Sequence, residues 1–182
     1  MSDGGMRGYF GVGVERVSKA MNVGNLFRTA NGFGASFLFT IDAAYSRAES
    51  RSDTSRAGDQ IPLYRYRTPQ ELSLPKGCSL IGVEITADAV DLPSFRHPLR
   101  AAYVMGGERT SLSPELLEHC EHVVRIPARF SLNVATAGAI VMYDRMISLG
   151  RFAERPVTPH GKTTPLKDHV HGGPVFRTSR ER

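Results

Sequence analysis

Short apolar runs recur along the first 150 positions, and stretches with helical spacing separate them. Tyr9–Glu15 alternates Gly with Val and ends in charge, which predicts a first strand. Ser36–Ile41 (SFLFTI), bounded by Gly34 and Asp42, predicts a buried strand, as do Cys78–Ile85 (CSLIGVEI), Arg100–Gly106 and His122–Ile126. Leu63–Arg67 is a short alternating strand. Between them, Asn22–Phe33 places Leu26, Phe27, Ala30 and Phe33 on one side of a helix. Thr68–Leu72 starts a short helix on Thr68 and Pro69, and Ser113 caps another whose first turn holds Pro114 and Glu115. The last helix, about Leu132–Leu149, is apolar nearly all round (Val134, Ile140, Met142, Ile147), which predicts cover on both sides. Strands alternating with helices, several apolar on both faces, imply an α/β fold with an open, mostly parallel sheet flanked by helices.

At Arg151 the pattern stops. Pro156, Pro159, Pro165 and Pro174 fall among Gly, His and Arg without periodicity, so we expect a domain over 1–150 and a basic tail over 151–182. Charge follows the same boundary: 16 Lys+Arg stand against 15 Asp+Glu up to residue 150, and 7 against 3 beyond it. Most of the net +5 therefore belongs to the tail. Nineteen of the 23 basic residues are Arg, which suits bidentate contact with an anionic partner. The Arg-rich loop Ala43–Gln60 and the strand after it (Arg47, Arg51, Arg56, Arg65, Arg67) offer an RNA-contacting edge or a solvated loop.

Several chemistries fall away. Cys78 and Cys120 are too few for a disulfide scaffold or a four-cysteine zinc site, and His119, Cys120 and His122 do not converge as ligands, so no metal is expected. The start lacks a signal-peptide core and no segment has the apolar length of a membrane span, so the chain is expected to be soluble and cytoplasmic. Gly11 and Gly13 imitate a dinucleotide-binding fingerprint, but Arg16 takes the third position and the glycines lie within the strand. No phosphate-loop lysine and no Gly-x-Ser-x-Gly elbow occur, and nothing fixes Glu108 and Glu115 on one face as an acid/base pair.

Three segments carry polar residues where a buried core would be apolar: Asn22-Val-Gly24-Asn-Leu-Phe-Arg28, Gly106-Gly107-Glu108-Arg-Thr-Ser-Leu112-Ser113, and Arg125-Ile126-Pro127 followed by Ser131-Leu132-Asn133-Val134. Each lies at a strand's carboxyl end or a helix start, where open sheets bind ligands. Taken singly, Asn22 and Ser131 suit helix caps, and Arg28 and Glu108 suit solvated surfaces. In this order and spacing the segments resemble the three motifs of SpoU-type (TrmH-like) RNA 2′-O-ribose methyltransferases of the SPOUT superfamily, over about Tyr9–Leu149. Gly107 departs from that pattern, where relatives often carry Asn, Ser or Pro, and nothing beyond Arg151 matches it.

The resemblance implies a C-terminal deep trefoil knot, a homodimer whose sites draw on both subunits, and S-adenosylmethionine (AdoMet) as cofactor. It places the cofactor against Ile85, Thr86 and Ala87, against Met105, Gly106 and Gly107, and against Ile126, Ser131 and Leu132. It assigns the chemistry to Arg28, Asn22, Glu108, Ser131 and Asn133. A ribose 2′-hydroxyl is a poor nucleophile, so charge developing on its oxygen must be stabilised; Arg28 suits this as a charged guanidinium better than as a base. Asn22 would orient Arg28 or the ribose, Glu108 would position either, and Ser131 and Asn133 would line the ribose pocket. The expected partner is structured RNA, most simply tRNA because the chain has little room for a separate RNA-binding domain. A ribosomal RNA substrate, or a catalytically silent RNA-binding protein on the same fold, is the alternative.

Overall fold

A computed structural model describes residues 8–44, 60–107 and 110–165. The chain divides into two compact units, one through Gly150 and one from Arg151. In the second, residues 151–165 form no helix or strand and contain one turn, closed by Gly161 N–H donating to the Thr158 carbonyl at 3.0 Å.

Among the described residues the first unit has seven strands: β1 (Tyr9–Glu15), β2 (Phe37–Ile41), β3 (Leu63–Tyr66), β4 (Ser79–Val83), β5 (Val90–Asp91), β6 (Arg100–Gly106) and β7 (His122–Arg125). They form one sheet in the order β3-β2-β1-β6-β4-β7-β5. Every neighbouring pair is parallel. Among the described residues three α-helices flank it: α1 (Ala20–Gly32), α2 (Pro114–His119) and α3 (Val134–Leu149).

The two-residue period of the strands sorts their side chains into two layers. Phe10, Val12, Val14, Leu38, Ala101, Tyr103 and Met105 pack with Leu26 and Ala30 of α1 and Val141 and Met142 of α3. On the other face Phe37, Phe39, Ile41, Ala102 and Val104 pack with Leu112 and with Leu116 of α2. Gly11 and Gly13 belong to this second layer. A Cβ on Gly11 would stand 2.2 Å from the Phe37 ring, and one on Gly13 would stand 2.3 Å from the Phe39 ring. These glycines are slots for two aromatic rings of the neighbouring strand, which is why they resemble a nucleotide motif without being one.

The structure corrects the sequence reading in several places. First, α1 begins at Ala20 with Lys19 as a cap that has no side-chain hydrogen bond, so Asn22 lies inside the first turn and is not its cap. Second, α3 begins at Val134, capped by Asn133, whose Oδ1 accepts from Ala135 N–H at 2.9 Å. Ser131 is therefore not a cap either. Third, α3 is not apolar all round, and within one chain it is covered on one side only. Ile140, Tyr143 and Ile147 are exposed along one stripe, whereas Arg145 is 1% exposed. The strand expected over Cys78–Ile85 ends at Val83, and β5 had no counterpart in the sequence reading. Arg65 and Arg67 are exposed on and just after the edge strand β3, while Arg47, Arg51 and Arg56 lie outside the described residues.

Candidate active site

The carboxyl ends of β4, β6 and β7 and the start of α1 enclose a cavity of about 570 Å³, a size that suits a small organic ligand. Three main-chain segments form its walls: Val83–Ile85 after β4, Met105–Gly107 at the end of β6, and most of 125–134 between β7 and α3. Of the residues expected to meet a cofactor, Ile85, Met105, Gly106, Gly107, Ile126, Ser131 and Leu132 line this cavity. Thr86 and Ala87 do not. There the chain turns away, with the Thr86 hydroxyl donating to Asp88 Oδ1 at 2.7 Å and Ala89 N–H donating back to the Thr86 carbonyl. That hydroxyl holds the exposed Asp88 carboxyl below its ordinary range.

The glycines at the end of β6 set how close the walls come. A Cβ on Gly106 would lie 2.5 Å from the Thr110 carbonyl oxygen, and one on Gly107 would lie 2.4 Å from the Arg16 carbonyl oxygen. Both obstacles are backbone, so neither can swing aside. Arg16 itself has φ 51°, a left-handed turn that carries the chain out of β1. Gly107, the one departure from the family pattern inside the motifs, is thus required by this chain's own β1–α1 junction.

Two of the three motifs meet by a side-chain hydrogen bond. The Asn133 amide donates from Nδ2 to Asn22 Oδ1 at 3.2 Å, across 111 positions of sequence. Asn22 is buried, lines the cavity and sits one turn into α1; Asn133 caps α3 with its other amide atom and lines the cavity beside Ser131. Arg28 is placed differently. It follows Asn22 by six residues on α1, which is about 9 Å along the axis and about 120° around it. It is exposed and lies outside the cavity lining. Glu108 lies outside the described residues.

The cavity also holds groups the sequence reading passed over. Lys19 lines it from the β1–α1 turn, Phe130 from the β7–α3 loop at 74% exposure, and Glu84 from the end of β4. Arg125, which opens the third motif, also lines it, its Nε donating to Asp91 Oδ1 at 2.7 Å; that bond and the Asp91 charge raise its pKa further. Glu84 left a signal, being a carboxylate inside the otherwise apolar run CSLIGVEI. Lys19 and Phe130 left none. Among the described residues no cluster of three His, Cys, Asp or Glu could hold a metal ion. Burial pushes the Cys120 thiol up to about 12, so it stays protonated at neutral pH. No helix among the described residues is long and apolar enough to cross a membrane.

Similarity to known proteins runs over this same part of the chain. It is 29% identical over 137 residues to the tRNA (guanosine(18)-2'-O)-methyltransferase TARBP1 of Mus musculus, a match covering 70% of this chain and 9% of that protein. To the tRNA (guanosine(18)-2'-O)-methyltransferase of Escherichia coli K12 it is 24% identical over 140 residues, covering 72% of this chain and 60% of that one. The crystal structure of the AdoMet-bound rRNA methyltransferase from Sinorhizobium meliloti superposes with a TM-score of 0.66 at 26% identity, covering 79% of this chain and 57% of that chain. The chain thus spans 60% or less of the length of each. The model of the SpoU rRNA Methylase family matches residues 10–143, which takes in all three motifs and every wall of the cavity. The chain belongs to the SpoU rRNA methylase family.

Proposed function

We propose that this protein transfers a methyl group from AdoMet to a ribose 2′-hydroxyl of structured RNA, with tRNA as the substrate. The observation that carries the reading is the Asn133–Asn22 hydrogen bond, which draws the first and third motifs together at a cavity walled by the second. The cavity fits the cofactor in kind. Peptide groups after β4, β6 and β7 can recognise an adenine, and the glycine wall admits it without side-chain obstruction. Ile85, Met105, Gly106, Gly107, Ile126, Ser131 and Leu132 would hold it. Bound AdoMet supplies an electrophilic methyl group on a sulfonium.

The chain's own residues do the rest. Ser131, Asn133 and Asn22 line the ribose side of the cavity and orient the hydroxyl toward the methyl group. Arg28 holds the adjacent phosphate and, as a charged guanidinium, stabilises the developing alkoxide while the hydroxyl proton passes to a phosphate oxygen; S-adenosylhomocysteine would be the leaving group. Because Arg28 stands outside the cavity of its own chain, the reading includes a homodimer in which Arg28 serves the partner's cavity. The exposed stripe Ile140, Tyr143 and Ile147 on α3 supplies the apolar surface for it. The reading also includes the C-terminal trefoil knot, a cytoplasmic location, and a 151–182 tail that adds salt-sensitive RNA affinity.

Nucleoside mass spectrometry of RNA from a strain lacking the gene tests the activity. One 2′-O-methylated nucleotide should disappear from tRNA and return with wild type but not with Arg28→Ala. Its loss from ribosomal RNA instead would move the substrate. An absence of AdoMet binding by calorimetry, with and without RNA, would make the protein a silent RNA binder. Mixing Arg28→Ala with Asn133→Ala tests the shared site: random heterodimers should restore about a quarter of wild-type activity, while sites confined to one chain restore none.

A further inference from the structure

The segment leaving β6 is gripped from both sides by carboxylates of the two strands that flank it. Glu15 is the last residue of β1 and pairs in register with Gly106. On the other side of β6, Val83 of β4 pairs with Met105, which puts Glu84 at the level of Gly106 as well. From these positions the two carboxylates take consecutive backbone amides of the same segment. Leu112 N–H donates to Glu84 Oε2 at 2.9 Å, and Ser113 N–H donates to Glu15 Oε2 at 2.7 Å. The Ser113 hydroxyl donates to Glu15 Oε1 at 2.5 Å and accepts from Leu116 N–H at 3.2 Å, which ties the start of α2 into the same arrangement. Arg16 adds a donor to the Ser111 carbonyl.

The two carboxylates differ in what else they touch. Glu15 is 2% exposed and does not line this cavity. Glu84 is half-buried and lines the cavity, and its second oxygen, Oε1, accepts from Ile85 N–H at 2.8 Å. One carboxylate thus holds the wall after β4 and the wall after β6 at once. Charge-assisted bonds to backbone amides are stronger than neutral ones, and here two of them fix the spacing of two cavity walls.

We propose that Glu84 is a positioning residue for the cofactor: with Glu15 on the far side of β6, it clamps the segment at 110–113 and so sets the shape of the cavity before a ligand arrives. The proposal rests on the cavity being the AdoMet site, and it assigns Glu84 no contact with the reacting atoms.

Amide hydrogen exchange of the ligand-free protein reads the clamp directly. In Glu84→Ala the Ile85 and Leu112 amides should exchange about tenfold faster or more, while amides in the core of β1 stay as in wild type. Calorimetry with AdoMet and with its demethylated product, well below the melting transition of each variant, should show both affinities falling by about tenfold. Glu84→Gln keeps one acceptor oxygen, so it should recover part of the loss. Unchanged exchange at Leu112 overturns the clamp. Faster exchange with unchanged affinity overturns the positioning role. A loss confined to AdoMet, and equal in the Gln and Ala variants, would make Glu84 a charge partner of the sulfonium and overturn the proposal as well. Should Glu84→Ala fail to fold, Glu84→Gln, which keeps an acceptor for only one of the two amides, must still speed exchange at Ile85 or Leu112. Wild type that binds no AdoMet would defeat the functional reading, whereas the exchange of Leu112 would still decide the clamp.

Discussion

The two ends of the sheet both gather polar groups, but they do so in opposite ways. At the carboxyl ends, Asn22, Glu84 and Asn133 line a cavity, where Asn133 bonds Asn22 and Glu84 bonds backbone amides. At the amino ends, polar groups close upon one another. Arg145 of α3 donates from one terminal nitrogen to the Pro98 carbonyl at 2.6 Å and the Tyr103 hydroxyl at 3.2 Å. Its other terminal nitrogen donates to the Leu99 carbonyl at 2.9 Å and the Tyr9 carbonyl at 3.3 Å. The guanidinium also lies 5.3 Å from the Phe10 ring centroid. With the Tyr103 oxygen already accepting from Arg145, its proton goes to His97 Nδ1 at 2.6 Å, and His97 Nε2–H donates to Asp144 Oδ2 at 2.9 Å. That chain of donors holds only with His97 neutral. One helix links the two ends: α3 starts in the cavity at its Asn133 cap and is locked near its other end by Arg145, so the closed network fixes where the open one stands.

Arg145→Ala should break the comparison most severely. It leaves three carbonyls and the Tyr103 hydroxyl short of a donor around a void, and should cost about 3–5 kcal/mol in denaturant unfolding. Arg145→Lys should recover only part, because a single ammonium cannot reproduce the fork that reaches Pro98 and Leu99 together. At the other end, Gly107→Ala sets a methyl group against the Arg16 carbonyl. It should cost about 1–3 kcal/mol and abolish AdoMet binding by calorimetry, since the wall itself must shift.

The contrast also shows what could be read from the chain alone. The order of strands and helices was legible because apolar periodicity decides it, and the three motifs were legible because polar residues interrupt that periodicity. Arg145 was not. It sits in a helix so apolar that a lone arginine looks like a solvent-facing residue, and only the approach of Pro98 and Leu99 at the amino end of β6 gives it partners. Asn22 and Ser131 looked like caps because a cap is defined by where a helix starts, and starts are the weakest part of a sequence reading. Arg28 keeps its motif position but stands outside its own cavity, a displacement that no spacing along one chain reveals.

His97 sharpens the comparison through pH. Burial lowers its pKa, and the hydrogen bond and charge of Asp144 oppose that without overcoming it. The unfolded chain therefore binds the proton more readily than the folded one, so stability rises with pH. The contribution is present above the ordinary histidine range, near 6.5, and is lost as pH falls through that range toward the folded value. Urea midpoints should drop between pH 7 and pH 5, and His97→Gln, which can still accept from Tyr103 and donate to Asp144, should flatten that drop. A slope equally steep in the variant would place its origin elsewhere. Tyr103, pushed up to about 12 by burial, stays protonated over this range and adds no slope of its own.

Asn133→Asp should change stability least and function clearly, which makes it the finest probe of the open end. Aspartate caps a helix about as well as asparagine, so the bond from Ala135 N–H survives and the melting temperature should stay within a degree or two. What disappears is the Nδ2 donor to Asn22 Oδ1. Two oxygens then face each other at 3.2 Å, so Asn22 must turn its amide over, giving up its present hydrogen-bonding arrangement, or the side chains that join the first motif to the third must part. Methyl transfer should fall by about tenfold or more at unchanged stability. Full activity in Asn133→Asp would reduce this residue to a helix cap and detach the two motifs from each other. A fall in activity that tracks a fall in melting temperature would show that the two ends of α3 cannot be separated, and that the cavity owes its shape to the whole helix rather than to its first turn.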